Sequence, residues 1–176
     1  MKYGMPVILL VLALMSAGCG QSADRLYTEG KALVADPETI DRGLAKLLAF
    51  DTDFPGDPRA PEVLLTIAGV HQARTDFTRA IETYETLFTR FPGSPEEYKG
   101  RFLLAYLYYD QLQDTARAAA LYRDFITAYP DSELTASARI LLENIDRPID
   151  QWPVIRQLSQ SGPSESAGAP SRNEEK

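Results

Sequence analysis

Few residue types in this chain could do chemistry. His71 is the only histidine, and an imidazole works as a general base only beside a nucleophile and an orienting acid. No such set stands around it, so His71 reads as a packed residue. Asp51, Asp53, Gly56 and Glu62 fall at the first, third, sixth and twelfth positions of a calcium-binding loop between two helices. Pro55 stands where the fifth ligand belongs, and Pro58 and Pro61 stiffen the remainder, so no metal is expected. The sequence has no phosphate-binding glycine loop, no Cys/His pair at metal spacing and no nucleophile elbow. The acidic pairs Glu96-Glu97 and Glu174-Glu175 suit a helix first turn and a polar tail. Neither an enzyme nor a cofactor is expected from these residues.

Cys19, the only cysteine, stands in a different setting. Before it come Lys2, the apolar run "PVILLVLALM" and then Ser16-Ala17-Gly18. One cation, a short apolar core and small residues describe a secretory leader, and the core is too short to span a bilayer. A conventional leader cleaved near Gly18 would leave a free thiol in an oxidising compartment, which is a liability. The junction resembles the lipobox of bacterial lipoproteins, with Ser16 where that motif usually has an aliphatic residue. The resemblance implies a leader over 1–18 and a lipid, palmitate included, on Cys19 at the head of a linker over 19–23. Gly20 replaces the aspartate of an inner-membrane retention signal, so the implied location is the outer membrane, on its periplasmic face.

The composition fits an exported body of one domain. Hydrophobic residues make up 44% of the chain, enough for a core. The formal charge is −7, which argues against nucleic acid or anionic lipid as a partner. A single cysteine excludes an internal disulfide.

The elements that must position any site are punctuated by proline. "FPGD" at 54–57, "FPGS" at 91–94 and "AYPDS" at 128–132 recur with Pro55, Pro92 and Pro130 spaced 37 and 38 residues apart. A near-constant period of this size marks a repeat architecture. Between the prolines the apolar spacing is helical: Phe77, Ala80, Ile81, Tyr84, Leu87 and Phe88 share one face, as do Ala118, Leu121, Tyr122 and Phe125. Earlier stretches, "PEVLLTIAGVHQA" and "PEEYKGRFLLAYLYYDQL", supply a first helix for each pair, and "RTD" and "QDT" supply turns with an aspartate cap. Because a residue before proline is pushed out of the helical region, the second helices should end at Phe54, Phe91 and Tyr129. Ser94-Pro95-Glu96-Glu97 then reads as cap, first-turn proline and capping-box glutamate, and Asp36-Pro37 and Asp57-Pro58 offer similar caps.

This pattern resembles the tetratricopeptide repeat family. Counted from Pro61, Leu64, Ile67, Ala68, His71, Ala80, Tyr84, Leu87 and Pro92 occupy that family's signature positions. Leu104-Ala105, Tyr108, Ala118, Tyr122, Phe125 and Pro130 do so in the next repeat, with one extra residue in the turn. A weaker first repeat over 24–55 shows Tyr27, Gly43, Leu47, Phe50 and Pro55, with Gly30 and Lys31 as poor matches. "SELTASARILLENI" reads as a capping helix that stops near Arg147-Pro148. The resemblance implies an all-α tetratricopeptide solenoid of about three helix–turn–helix repeats plus a C-terminal capping helix, over 24–147. Residues 148–176 are expected to be a disordered tail, with Trp152 docked on the last helix.

The same resemblance implies that the first helix of each pair lines a groove for extended peptides or partner helices. Phe102, Tyr106 and Tyr109 recur at i, i+4 and i+7 and form one stripe; the matching residues of the preceding repeat are Leu65, Gly69 and Gln72. The stripe is either an aromatic lining of that groove, with Gln72 and Lys99 on its polar rim, or core. Repeats of this style with an anchoring cysteine are similar to those of the tetratricopeptide lipoproteins of the outer-membrane β-barrel assembly machine, and also to the periplasmic repeat proteins associated with Tol–Pal. The expected function is therefore a lipid-anchored periplasmic scaffold that binds other envelope proteins or peptides. A Tol–Pal or cell-division adaptor is the alternative within that class. An accessory subunit of peptidoglycan metabolism would need catalytic residues or a wall-binding module, and neither is visible.

Overall fold

The structure, a computed structural model, describes residues 22–160. The leader, Cys19 and the tail from 161 onward lie outside the described residues. Those residues form eight α-helices and one short 3-10 turn, with no strand among them. In chain order these are α1 (Ala23–Leu33), α2 (Ile40–Asp53), α3 (Ala60–Ala73), α4 (Phe77–Arg90), α5 (Pro95–Asp110), α6 (Thr115–Ala128), α7 (Thr135–Glu143), the 3-10 turn (Ile149–Gln151) and α8 (Pro153–Gln160). No helix among the described residues is long and apolar enough to cross a membrane.

The aromatic–proline tetrads end the second helices in one shared geometry. Phe54, Phe91 and Tyr129 have φ of −130°, −131° and −130° with ψ of 52°, 55° and 58°. Each still donates its own N–H to the residue four back, Phe50, Leu87 or Phe125, and proline then removes the next donor. Each aromatic carbonyl accepts from the third residue on, Asp57, Ser94 or Ser132, whose own carbonyl accepts from Ala60, Glu97 or Thr135. The punctuation is thus two linked turns.

Capping follows the sequence in part. Ser94 Oγ accepts from the Glu97 N–H at 3.1 Å, and the Glu97 carboxylate reaches back to the Gly93 N–H. Asp76 and Asp114 cap α4 and α6 by accepting from Arg79 and Arg117. Asp36 and Asp57 differ from expectation. Each accepts from the N–H two residues on, Glu38 or Arg59, and so closes a tight turn one step before the helix proper begins. Proline in the next position fixes the φ such a turn needs.

Contacts divide the chain between Arg101 and Phe102, within α5. In the first unit α1 packs on α2, α2 on α3 and α3 on α4. Leu26, Leu47, Phe50, Val63 and Ile67 are almost wholly buried there, each worth roughly 1.5–3 kcal/mol by removal from water. Arg59 ties this core to the surface, lying 4.9 Å from the Tyr27 ring centroid and pairing with Asp24 and Asp57. Its guanidinium holds the Asp57 carboxyl down at about 2.

The first repeat is shifted by one residue from the expected register. Leu26 is buried where Tyr27 was expected, and Gly30 takes the small position where the helices cross. A Cβ on Gly30 would lie 2.7 Å from Leu47 Cδ2, and one on Gly43 would lie 2.6 Å from the Val34 backbone nitrogen. Gly30 to Gly43 is 13 residues, the same as Ala105 to Ala118. The poor match therefore came from an extra turn residue.

In the second unit, Phe102 on α5 lies 5.8 Å from both Tyr122 and Phe125 on α6. Leu104, Ala105, Leu107, Tyr108, Ala118 and Ala119 are buried, and α6 packs on α7 through Ala138. The helical body continues past Pro148, where a disordered tail was expected to start. Trp152 is buried, and its Nε1 donates to the Arg147 carbonyl at 3.1 Å. That anchor accounts for the 3-10 turn and for α8, which follows it directly.

Candidate partner-binding surface

The aromatic stripe on α5 divides. Phe102 turns onto α6 and belongs to the hairpin core. Tyr106 is 36% exposed, and Tyr109 is half-buried with its ring centroid 6.4 Å away. Partial burial raises the Tyr106 pKa, helped by the neighbouring Asp110 carboxylate. The accessible aromatic surface is therefore a tyrosine pair one helical turn apart.

Tyr109 also lines a cleft of about 490 Å³ with Asp110 from the end of α5, and with Ile145, Asp146, Arg147 and Ile149 from the segment after α7. Ile149 stands at its edge, 65% exposed. Tyr122, a neighbour of Tyr109 and Asp110 that does not line the cleft, is fully buried, and its hydroxyl has no hydrogen-bond partner among the described residues. Burial pushes its pKa far up, and the neighbouring Tyr106, Tyr109 and Asp110 add to the effect. Sequence periodicity could not show this cleft, because half of it comes from residues 145–149, beyond the last repeat.

Gln72 and Lys99 lie in the first unit, each half-buried. The Gln72 side-chain oxygen accepts from the Tyr84 hydroxyl at 3.3 Å, and Lys99 Nζ stands 5.9 Å from the Tyr98 ring centroid. A polar cluster not anticipated from the sequence centres on Glu62. Its carboxylate accepts from the Tyr27 hydroxyl at 2.7 Å and pairs with Lys31 at 3.0 Å, while Lys31 also donates to Thr66. The Tyr27 hydrogen bond is the main cause of its lowered pKa, and Lys31 and Lys99 add to it. Tyr27 to Glu62 and Lys31 to Thr66 are both 35 residues apart, so aligning the first helices of successive repeats would have paired them.

His71, the only candidate general base, and Asp51, the first position of the calcium-type loop, both have structural surroundings. His71 is 6% exposed on α3, and burial lowers its pKa. Asp51 pairs with Arg90 at 2.7 Å, and no group of three or more His, Cys, Asp or Glu among the described residues could hold a metal ion.

The tetratricopeptide repeat family model matches residues 65–133. Over that stretch the chain is similar to tetratricopeptide repeats. The matched stretch runs from within α3 to the end of α6 and into the turn before α7, and the described fold is all-helical, of the tetratricopeptide solenoid class. No match was found among the curated proteins. Tetratricopeptide repeats act as protein-interaction modules and are typically not catalytic. The signature positions of such a repeat, here Ala68, Ala80, Tyr84, Ala105, Ala118 and Tyr122, are all buried. Beside them on α5, Tyr106 is exposed and Tyr109 half-buried.

Proposed function

We propose that this protein is a lipid-anchored scaffold of the cell envelope, held by Cys19 at the periplasmic face of the outer membrane, where its tetratricopeptide repeats bind protein partners in outer-membrane protein assembly. The observation that carries the binding reading is the tyrosine pair. Tyr106 is exposed and Tyr109 half-buried while the signature positions beside them, Ala105 and Tyr108, stay in the core, and accessible tyrosine surface supplies apolar area with a polar tip, the usual anchor of an interface. The anchoring part of the reading is supported by the order of Lys2, the apolar run and Ser16-Ala17-Gly18-Cys19 in the sequence. The net charge of −7 favours protein over anionic partners. The test is capture of the tagged full chain from detergent-solubilised envelopes, followed by identification of what comes with it. Recovery of outer-membrane assembly components supports the reading. Recovery of Tol–Pal or cell-division components alone would move the chain to that pathway, and absence of any stoichiometric protein would overturn the scaffold role.

A further inference from the structure

We propose that the cleft beside Tyr109 seats an arginine side chain of a partner protein, next to an aliphatic residue of that partner which covers Ile149. This rests on the scaffold reading and specifies the chemistry of what the scaffold holds. At about 490 Å³ the cleft falls within the roughly 300–1,000 Å³ range of built ligand sites. Its wall combines an aromatic ring, two carboxylates and apolar carbon, the three surfaces a guanidinium and its stem can use at once.

The charges favour a cation. Asp146 has no hydrogen bond or ion pair among the described residues, and Asp110 is engaged by Gln111 and Tyr106. Arg147 also lines the cleft, so two carboxylates against one guanidinium leave the lining net negative. From 102 to 160 the sequence carries eight acidic residues against five arginines. An apolar or acidic occupant would strip water from carboxylates without replacing it. A guanidinium forks onto carboxylate oxygens, stacks its face on a phenol ring and is more weakly hydrated than an ammonium.

The repeats themselves point to the same cleft. In α3 and α4, Gln72 accepts the Tyr84 hydroxyl. Four residues after Ala105, as Gln72 is four after Ala68, stands Tyr109. The hairpin has lost its polar partner for Tyr122 and gained an aromatic wall for the cleft. A buried hydroxyl left unpaired is a cost that core packing alone gives no reason to bear.

The only tryptophan, Trp152, is bonded to the carbonyl of cleft residue Arg147, so its fluorescence reports occupancy. Full-length protein in detergent would be titrated with the peptide acetyl-Leu-Arg-Leu-amide and with its citrulline analogue, which keeps the shape and lacks the charge. The expected result is a saturable change with the arginine peptide only, weakened at least 5-fold by Asp146→Asn and weakened by added salt. Equal responses to both peptides, no saturable response, or an unaltered affinity in Asp146→Asn would each overturn the proposal. Binding seen only in an Arg172→Gln chain would assign the cleft to the protein's own arginine and also overturn it. Envelope capture separates this from the broader reading: a chain that captures partners but ignores the peptide remains a scaffold with another recognition chemistry.

Discussion

The hydroxyl of Tyr84 donates to Gln72 at 3.3 Å, whereas that of Tyr122, its counterpart 38 residues on, is buried with no partner among the described residues. Two tyrosines at one signature position thus have opposite hydrogen-bonding fates. Tyr84→Phe should cost about 1 kcal/mol, the usual worth of such a bond, while Tyr122→Phe should be neutral or stabilising because it removes an unpaired buried group. Paired denaturant melts decide it; equal losses in both variants would show that the Tyr122 hydroxyl is satisfied in solution.

Three glycines should respond differently to alanine. At Gly43 the new Cβ meets Val34 backbone at 2.6 Å, so Gly43→Ala should cost about 1–3 kcal/mol or more. At Gly30 the obstacle is the end of the Leu47 side chain, which can shift, so the loss should be smaller. At Gly69 nothing lies within 4 Å, and Gly69→Ala should gain up to about 1 kcal/mol from helix propensity. Thermal melts of the series test this order.

Acid should weaken the fold in two stages. Burial lowers the His71 pKa from 6.5 in the native state, so as pH falls below that value the unfolded chain takes up the proton first. Stability therefore declines from about pH 6.5 down to the lowered native value. Glu29 and Glu62 have native values below 4.5, so their contribution is present above that pH and is lost on further acidification. His71→Tyr, which installs the residue found at the matching Tyr108, should flatten the upper stage and leave the lower one. Stability measured from pH 7.5 to 3.5 checks both.

How much was legible in the sequence follows from what kind of force set each feature. Proline acts on its immediate neighbour, so the helix ends at Phe54, Phe91 and Tyr129 could be read residue by residue. The close helix crossings could be read wherever alanine marked them. In the first repeat glycine did so, with an extra turn residue, and counting at a fixed offset missed Gly30. Phe102 and Tyr106 share a helical stripe, but whether each faces core or solvent depends on where α6 lies, which no local pattern records. The packing of Trp152 could be read from an isolated aromatic beside a helix end, but α8, which follows it to residue 160, could not be read from the tail's composition.

The proposed anchoring depends on one atom, the sulfur of Cys19. Wild-type protein should fractionate with membranes and carry lipid on Cys19, while Cys19→Ala should be released or remain unprocessed. Mass spectrometry of the mature N-terminus checks this, and an unlipidated wild-type chain in the periplasm would refute the anchor.

In the proposed function a tyrosine pair, Tyr106 exposed and Tyr109 half-buried, holds a protein partner. The most direct measurement is the affinity of the captured partner for wild type and for Tyr106→Ala/Tyr109→Ala, with melting temperatures alongside. Binding should weaken by about 2 kcal/mol or more, on the scale of interface hot spots, with a melting temperature within about 4 °C of wild type. Full affinity in the folded fraction of a strongly destabilised variant would contradict it, placing both rings in the core and the binding surface elsewhere.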